Sequence, residues 1–169
     1  MYQTARTIIN PFQPQDFVAL HQLFCEQEEA MRLTLKGGCL TLKEFLNLLE
    51  QQFILTTDAQ LGFWVVRNAI DHAVMGITGY LPCNYLGAED VEFGFILGEQ
   101  YWGQGFATEL GDFLINHYAP NILKAKRVLA TVSPLNKGSN KVMKKLGLSP
   151  IKEITIASRG ARIVYSKDL

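Results

Sequence analysis

Apolar positions along the chain switch between a spacing of three to four residues and strict alternation, and the switches mark out a series of elements. Arg6 to Ile9 alternates as a short strand and stops at Asn10-Pro11. From Gln15 to Met31 the residues Phe17, Leu20, Leu23 and Phe24 recur at helical spacing, which predicts a helix, and Gly37-Gly38 then breaks the pattern. Thr41 with Glu44 three residues later is a capping box, so a second helix opens there with Leu42, Phe45, Leu46 and Leu49 on one side. LGFWVVR (61–67) and VMGITGYL (74–81) are rich in β-branched and aromatic residues and flank a polar turn at Asn68 to His72, which predicts a hairpin. A third strand follows at Val91 to Leu97, then a Gly-rich turn, a helix from about Gln104 to Tyr118, a strand at Arg127 to Val132 and a helix from about Gly138 to Leu146. IKEITI and ARIVYS around Ser158-Arg159-Gly160 read as a closing hairpin.

Strand, helix, strand, helix in the middle of a chain otherwise joined by hairpins implies one parallel crossover inside a mostly antiparallel sheet. The expected fold class is therefore α/β (α+β). No linker, repeat or low-complexity tract divides the 169 residues, so one domain over 1–169 is expected. No apolar run approaches the roughly 18 residues of a membrane span, and MYQTARTIINPF lacks a basic-then-apolar leader, so a soluble, cytoplasmic protein is expected. Cys25, Cys39 and Cys83 are odd in number and far apart, and His21, His72 and His117 stand in separate segments. Neither a metal site nor a Cys/His dyad is expected from such spacing.

The 16 basic and 16 acidic side chains cancel, but their order does not. Residues 1–120 carry 14 acidic and 5 basic side chains, and residues 121–169 carry 2 acidic and 11 basic. Lys124, Lys126, Arg127, Lys137, Lys141, Lys144 and Lys145 form a basic stretch that suits nucleic acid, a small polyanion or a merely solvated helix face.

Residues 91–114, VEFGFILGEQYWGQGFATELGDFL, carry the most chemistry. A strand runs into Gly103-Gln104-Gly105-Phe106-Ala107-Thr108, which opens a helix. Small residues at 103, 105 and 107 let a ligand approach the backbone, and the unpaired N–H groups of a first helical turn are anion donors. A tight turn needing Gly only for its dihedrals would look the same. A dinucleotide fingerprint also wants a small residue where Thr108 stands and an acid near the end of the next strand, which instead reads Ala130-Thr131-Val132-Ser133. A P-loop needs Gly-Lys-Ser/Thr, which is absent, so a phosphate cradle of another kind remains.

Trp102-Gly103-Gln104-Gly105-Phe106-Ala107 lies on the Gln/Arg-x-x-Gly-x-Gly/Ala signature of the GNAT superfamily of acyl-CoA-dependent N-acetyltransferases, with the leading Gln/Arg replaced. The string from Tyr101 to Glu109 resembles Tyr-Trp-Gly-x-Gly-Tyr/Phe-Ala-Thr-Glu of the branch acting on ribosomal-protein N-terminal alanine or serine. Asn136 to Leu148 resembles the family's Asn-x-x-Ser-x-x-x-x-x-Lys-Leu-Gly-Phe, about 30 residues further on. The order of elements matches over essentially the whole chain.

The resemblance implies a sheet with helices on both faces, whose fourth and fifth strands are parallel and splay apart at the cofactor site, the fourth being bulged. It implies that the backbone of Trp102 to Thr108 binds the CoA pyrophosphate, that Phe95, Ile96 and Leu97 pair with the pantetheine arm, and that an N–H near Ile96 stabilises the oxyanion. Gly94 would supply the kink, unless it serves close packing. Asn136 would bond the cofactor and Ser139 would protonate the departing thiolate, or be only a helix-start residue. Met143 stands where many relatives have an acidic tyrosine. Glu92 is the candidate general base, or else a strand-end carboxylate paired with a cation. Trp102 and Phe106 suit either ligand contact or core.

The implied reaction is transfer of acetyl from acetyl-CoA to a primary amine in a ternary complex, without metal. The acceptor would be a protein or peptide N-terminus, with a polyamine or aminoglycoside as rivals; an acyl-CoA-binding module without turnover is the alternative class. Residues 26–38 and 81–90 are expected to build the acceptor cleft, whose acidic surroundings would attract a cation. No membrane partner is expected, nucleic acid is a poorer fit than a small polyanion, and a homodimer is compatible with the sequence.

Overall fold

The computed structural model describes residues 1–169. Eight strands form one sheet: β1 (Tyr2–Gln3), β2 (Thr7–Asn10), β3 (Gly62–Asn68), β4 (Val74–Cys83), β5 (Asp90–Leu97), β6 (Arg127–Val132), β7 (Ser149–Ile156) and β8 (Gly160–Asp168). Their order is β1-β2-β3-β4-β5-β6-β8-β7, and every neighbouring pair is antiparallel except β5 and β6. The helices are α1 (Phe17–Glu26), α2 (Glu28–Met31), α3 (Leu42–Gln52), α4 (Phe106–Phe113) and α5 (Lys137–Lys145). α4 runs on as π-helical turns over Leu114–Leu123, past Pro120, so the element outlasts the predicted end at Tyr118 by five residues.

Two apolar clusters hold the helices to opposite faces of the sheet. Leu110, Leu114, Tyr118 and Met143 pack with Phe93, Leu97, Val128 and Tyr165 on one face. Leu20, Phe24, Met31 and Phe45 pack with Val65, Ile77 and Ile96 on the other. Side chains alternate along a strand, so odd and even positions of β5 serve different layers. The predicted first helix is broken at Gln27, whose ψ of 87° leaves the helical region and splits the run into α1 and α2. The Thr41 capping box forms as expected, but α3 buries Phe45 and Leu48 while Leu42 and Leu46 face solvent. Close approach of α4 to α5 depends on Gly111, where an added Cβ would lie 2.3 Å from a Leu146 methyl.

β5 and β6 pair only at Val91 with Val128 and Glu92 with Leu129, and then diverge. The expected splay is present. The expected bulge is not: β4 and β5 stay in unbroken register from Gly76–Leu97 to Cys83–Asp90, with Gly94 opposite Gly79. Departure of β6 opens the sheet, so no extra residue is needed in β5.

Candidate active site

The turn after β5 is built by two left-handed glycines, Gly103 at φ 72° and Gly105 at φ 83°, a region costly for side-chain-bearing residues. Within α4's first turn the earliest backbone bond runs from the Glu109 N–H to the Gly105 carbonyl, 3.0 Å. The N–H groups of Gly103 through Thr108 therefore find no acceptor in the protein, and such a row is an anion cradle. The dihedral role of these glycines is therefore met, and the same turn leaves its amides free to take an anion.

Arg6 and Glu109 lock the turn from behind. The Arg6 guanidinium donates to Glu109 Oε2 at 2.7 Å and to the Gln104 carbonyl at 2.9 Å, and lies 4.2 Å above the Phe106 ring. Thr4 and the Arg6 backbone donate to Glu109 Oε1. Burial pushes the Glu109 carboxyl up, but these hydrogen bonds and the Arg6 charge outweigh it and hold it below the usual value. Sequence reasoning missed Arg6, which lies 103 positions from its partner.

In front of the turn a groove of about 640 Å³ is walled by Phe95–Leu97, the turn, α2 and α5. Trp102, Gly103, Gly105, Phe106, Ala107, Thr108, Asn136 and Ser139 all line it. Gln104 does not: its side chain donates back to the Gln100 carbonyl at 2.7 Å. Phe106 is a core residue that also reaches the groove, whereas Trp102 is 49% exposed and donates its indole N–H to the Leu97 carbonyl at 2.8 Å. Lys137, Lys141 and Lys145, four residues apart on α5, line the same wall.

Asn136 caps α5 by accepting the Ser139 N–H at 3.0 Å. The Ser139 hydroxyl makes no hydrogen bond to the protein. It lines a narrow passage of about 90 Å³ through the splay, shared with Phe95, Met143, Glu92 and Arg162. Met143, which also lines the passage, is 2% exposed and carries no proton to donate.

Beyond the passage, on the α3 side of the sheet, lies a cleft of about 310 Å³ lined by Lys36, Glu44, Phe63, Leu81, Gly94 and Arg159 among others. Glu92, 8% exposed, reaches both passage and cleft. Its Oε2 accepts from the Tyr85 hydroxyl at 2.8 Å, and its Oε1 from Thr131 and from Arg159 at 3.3 Å. Burial and the Glu92 charge push the Tyr85 hydroxyl up to about 12, so it stays a neutral donor. Of the two segments expected to build an acceptor cleft, only Leu35, Lys36 and Leu81 line this one; α3 and the β7–β8 hairpin supply most of the rest. Its acidic groups are also taken, Glu44 by Lys36 at 2.5 Å and Glu92 by Arg159, so this cleft is locally neutral.

The structure brings no three His, Cys, Asp or Glu side chains together as a metal site, and no helix is long and apolar enough to cross a membrane.

The acetyltransferase (GNAT) domain model matches residues 6–149. No curated protein matches the sequence. Among solved structures, a GNAT-family acetyltransferase from Bacillus anthracis superposes with TM-score 0.77 at 20% identity, covering 98% of this chain and 96% of that one. The ribosomal-protein-S5-alanine acetyltransferase from Vibrio fischeri gives 0.73 at 16%, covering 99% and 95%. The spermidine N-acetyltransferase from Vibrio cholerae, solved with CoA and spermine, gives 0.74 at 16%, covering 96% and 95%.

Proposed function

The chain belongs to the GNAT acetyltransferase family and is an acetyl-CoA-dependent acetyltransferase, and from that premise we propose that its acceptor is the α-amine of a peptide or protein N-terminus. The observation that carries this reading is the charge balance of the acceptor cleft. A polyamine or aminoglycoside brings several positive charges and needs free carboxylates to hold them, whereas Glu44 and Glu92 are each already paired. An N-terminal amine brings one charge, and loses it readily. At pH 7.4 an α-amine of pKa about 7.8 is roughly a quarter neutral, against about one in a thousand for a lysine near 10.4.

Acetyl-CoA supplies an activated thioester from the 640 Å³ groove. In the proposed arrangement the N–H groups of Gly103 to Thr108 hold the pyrophosphate, and Lys137, Lys141 and Lys145 face the remaining phosphate charge. The β6-facing edge of β5 at Phe95 to Leu97 aligns the arm, and an N–H on that edge beside Ile96, that of Phe95 or Leu97, donates to the oxyanion that forms when the amine nitrogen bonds to the thioester carbon. Collapse of that centre breaks the C–S bond. The amine proton passes to Glu92 or water, and the thiolate takes a proton from the Ser139 hydroxyl or from water. Glu92 has three of about four lone-pair sites occupied, which suits an amine that needs little help. Asn136 offers an unused Nδ2 to the donor. Three unpaired cysteines fit a reducing, cytoplasmic setting.

The test is a thiol-release assay comparing an unblocked, lysine-free peptide with its N-blocked, lysine-containing counterpart, with spermidine and an aminoglycoside alongside. The unblocked peptide is expected to react at least about 10-fold faster at pH 7.4, in line with the neutral fractions. Preference for the blocked peptide contradicts the assignment, and preference for either small amine transfers it to a small-molecule acceptor.

A further inference from the structure

Arg162 on β8 is 5% exposed, and its guanidinium donates only to two backbone carbonyls, those of Ala161 at 2.9 Å and Leu35 at 3.3 Å. No carboxylate pairs with it. A buried cation ordinarily requires one. Arg159 is its neighbour, and burial together with the Arg159 charge depresses the Arg162 pKa. Arg159 is itself under-satisfied: Nη2 reaches Glu92 and Thr131 and Nη1 reaches the Tyr85 hydroxyl only at 3.5 Å, but Nε is shielded from solvent and has no partner. Both arginines line the passage through the splay, where the single carboxylate, Glu92, is shared with Tyr85 and Thr131. Two guanidinium groups and one carboxylate leave a net positive charge beside the reacting centre. Nothing in the transfer of an acetyl group to an amine requires it.

We infer that Arg159 and Arg162 form a carboxylate-binding site, and that the acceptor carries a carboxylate within a few bonds of its amine. A chain beginning with Asp or Glu meets that description, and so does a free α-amino acid whose apolar side chain lies against Phe63 and Leu81. The site opens towards the cleft on the α3 side, where Arg159 also stands, which places the carboxylate on the acceptor rather than on the acyl chain. The inference rests on the acetyl-transfer reading above and narrows its acceptor. Guanidinium pairs with carboxylate through two parallel hydrogen bonds, so an amide of the same shape loses one of them and the charge.

The experiment measures thiol release with acetyl-CoA from two matched pairs: a peptide beginning with Asp against the same peptide beginning with Asn, and leucine against leucinamide. Rates are compared as kcat/KM for the neutral amine, from full pH profiles, so that differences in amine pKa drop out. The acid is expected to exceed its amide by at least about 10-fold in one pair or both, since sites built for a polar group discriminate strongly against its loss. Arg162→Met should reduce that ratio to below about 2, and Arg162→Lys should keep part of it, the thermal shift with acetyl-CoA reporting that each variant folds. If a variant does not fold, the wild-type ratios decide.

Equal rates within both pairs overturn the inference while leaving the α-amine reading in place. Turnover of leucine alone, with neither peptide acetylated, supports the inference and overturns the peptide reading. A preference for succinyl-CoA over acetyl-CoA that Arg162→Met removes would assign the two arginines to the donor, and overturn the acceptor site.

Discussion

Glu92 is held by three donors from three separate segments, so replacing it changes both a charge and a scaffold. Glu92→Gln keeps the shape but forfeits the Arg159 ion pair and a charge-assisted bond from Tyr85. That loss is expected to cost about 1–3 kcal/mol, seen as a melting temperature lower by about 3–10 °C. If Glu92 also takes the amine proton, kcat/KM falls about 10- to 1000-fold at pH 7, and most of the loss returns at higher pH, where the acceptor deprotonates itself. A pH profile unchanged in shape, with only the melting temperature reduced, would assign Glu92 to a structural role. The chain's sequence shows Glu92 as a polar residue within a buried strand and so marks it for attention. What it does not show is the partner, because Arg159 lies 67 positions away and meets Glu92 only once β8 has paired with β6.

The turn between β5 and α4 was legible because its chemistry is local. Glycines at 103 and 105 announce left-handed backbone, and the helix that follows must leave amides unpaired. The strap that secures it was not legible, since β1 and β2 reach α4 from the other end of the chain through Thr4, Arg6 and Glu109. The bulge expected in β5 failed for the complementary reason: a gap can come from either strand, and here β6 departs. The strap carries a pH signature. The Glu109 carboxyl is lowered in the folded protein, so its contribution is complete above the unfolded value of about 4.3 and is lost as pH falls through the folded one. Between pH 5 and pH 3 the wild type should lose melting temperature more steeply than Glu109→Gln, in a thermal-denaturation series at fixed ionic strength. Parallel slopes would show that the strap adds nothing.

Across the whole molecule, the division into an acidic first 120 residues and a basic remainder is real, yet it predicted the groove better than the cleft. Lys137, Lys141 and Lys145 gather on one helix face because i, i+4 and i+8 coincide there, whereas in the cleft Glu44 is paired with Lys36, eight positions before it, and Glu92 with Arg159 from the β7–β8 turn. The fold joins two compartments, the groove proposed for the donor and the cleft proposed for the acceptor, through the gap that β6 leaves beside β5. Direct transfer in a ternary complex requires that junction. The measurement that addresses it most directly is the affinity of a conjugate in which CoA is linked through an acetyl bridge to the α-nitrogen of an acceptor peptide. If the two compartments meet at the splay, the conjugate binds about 100-fold or more tightly than CoA alone, because the second half is captured at high effective concentration. An affinity equal to that of CoA would mean that the groove and the cleft do not serve one reaction.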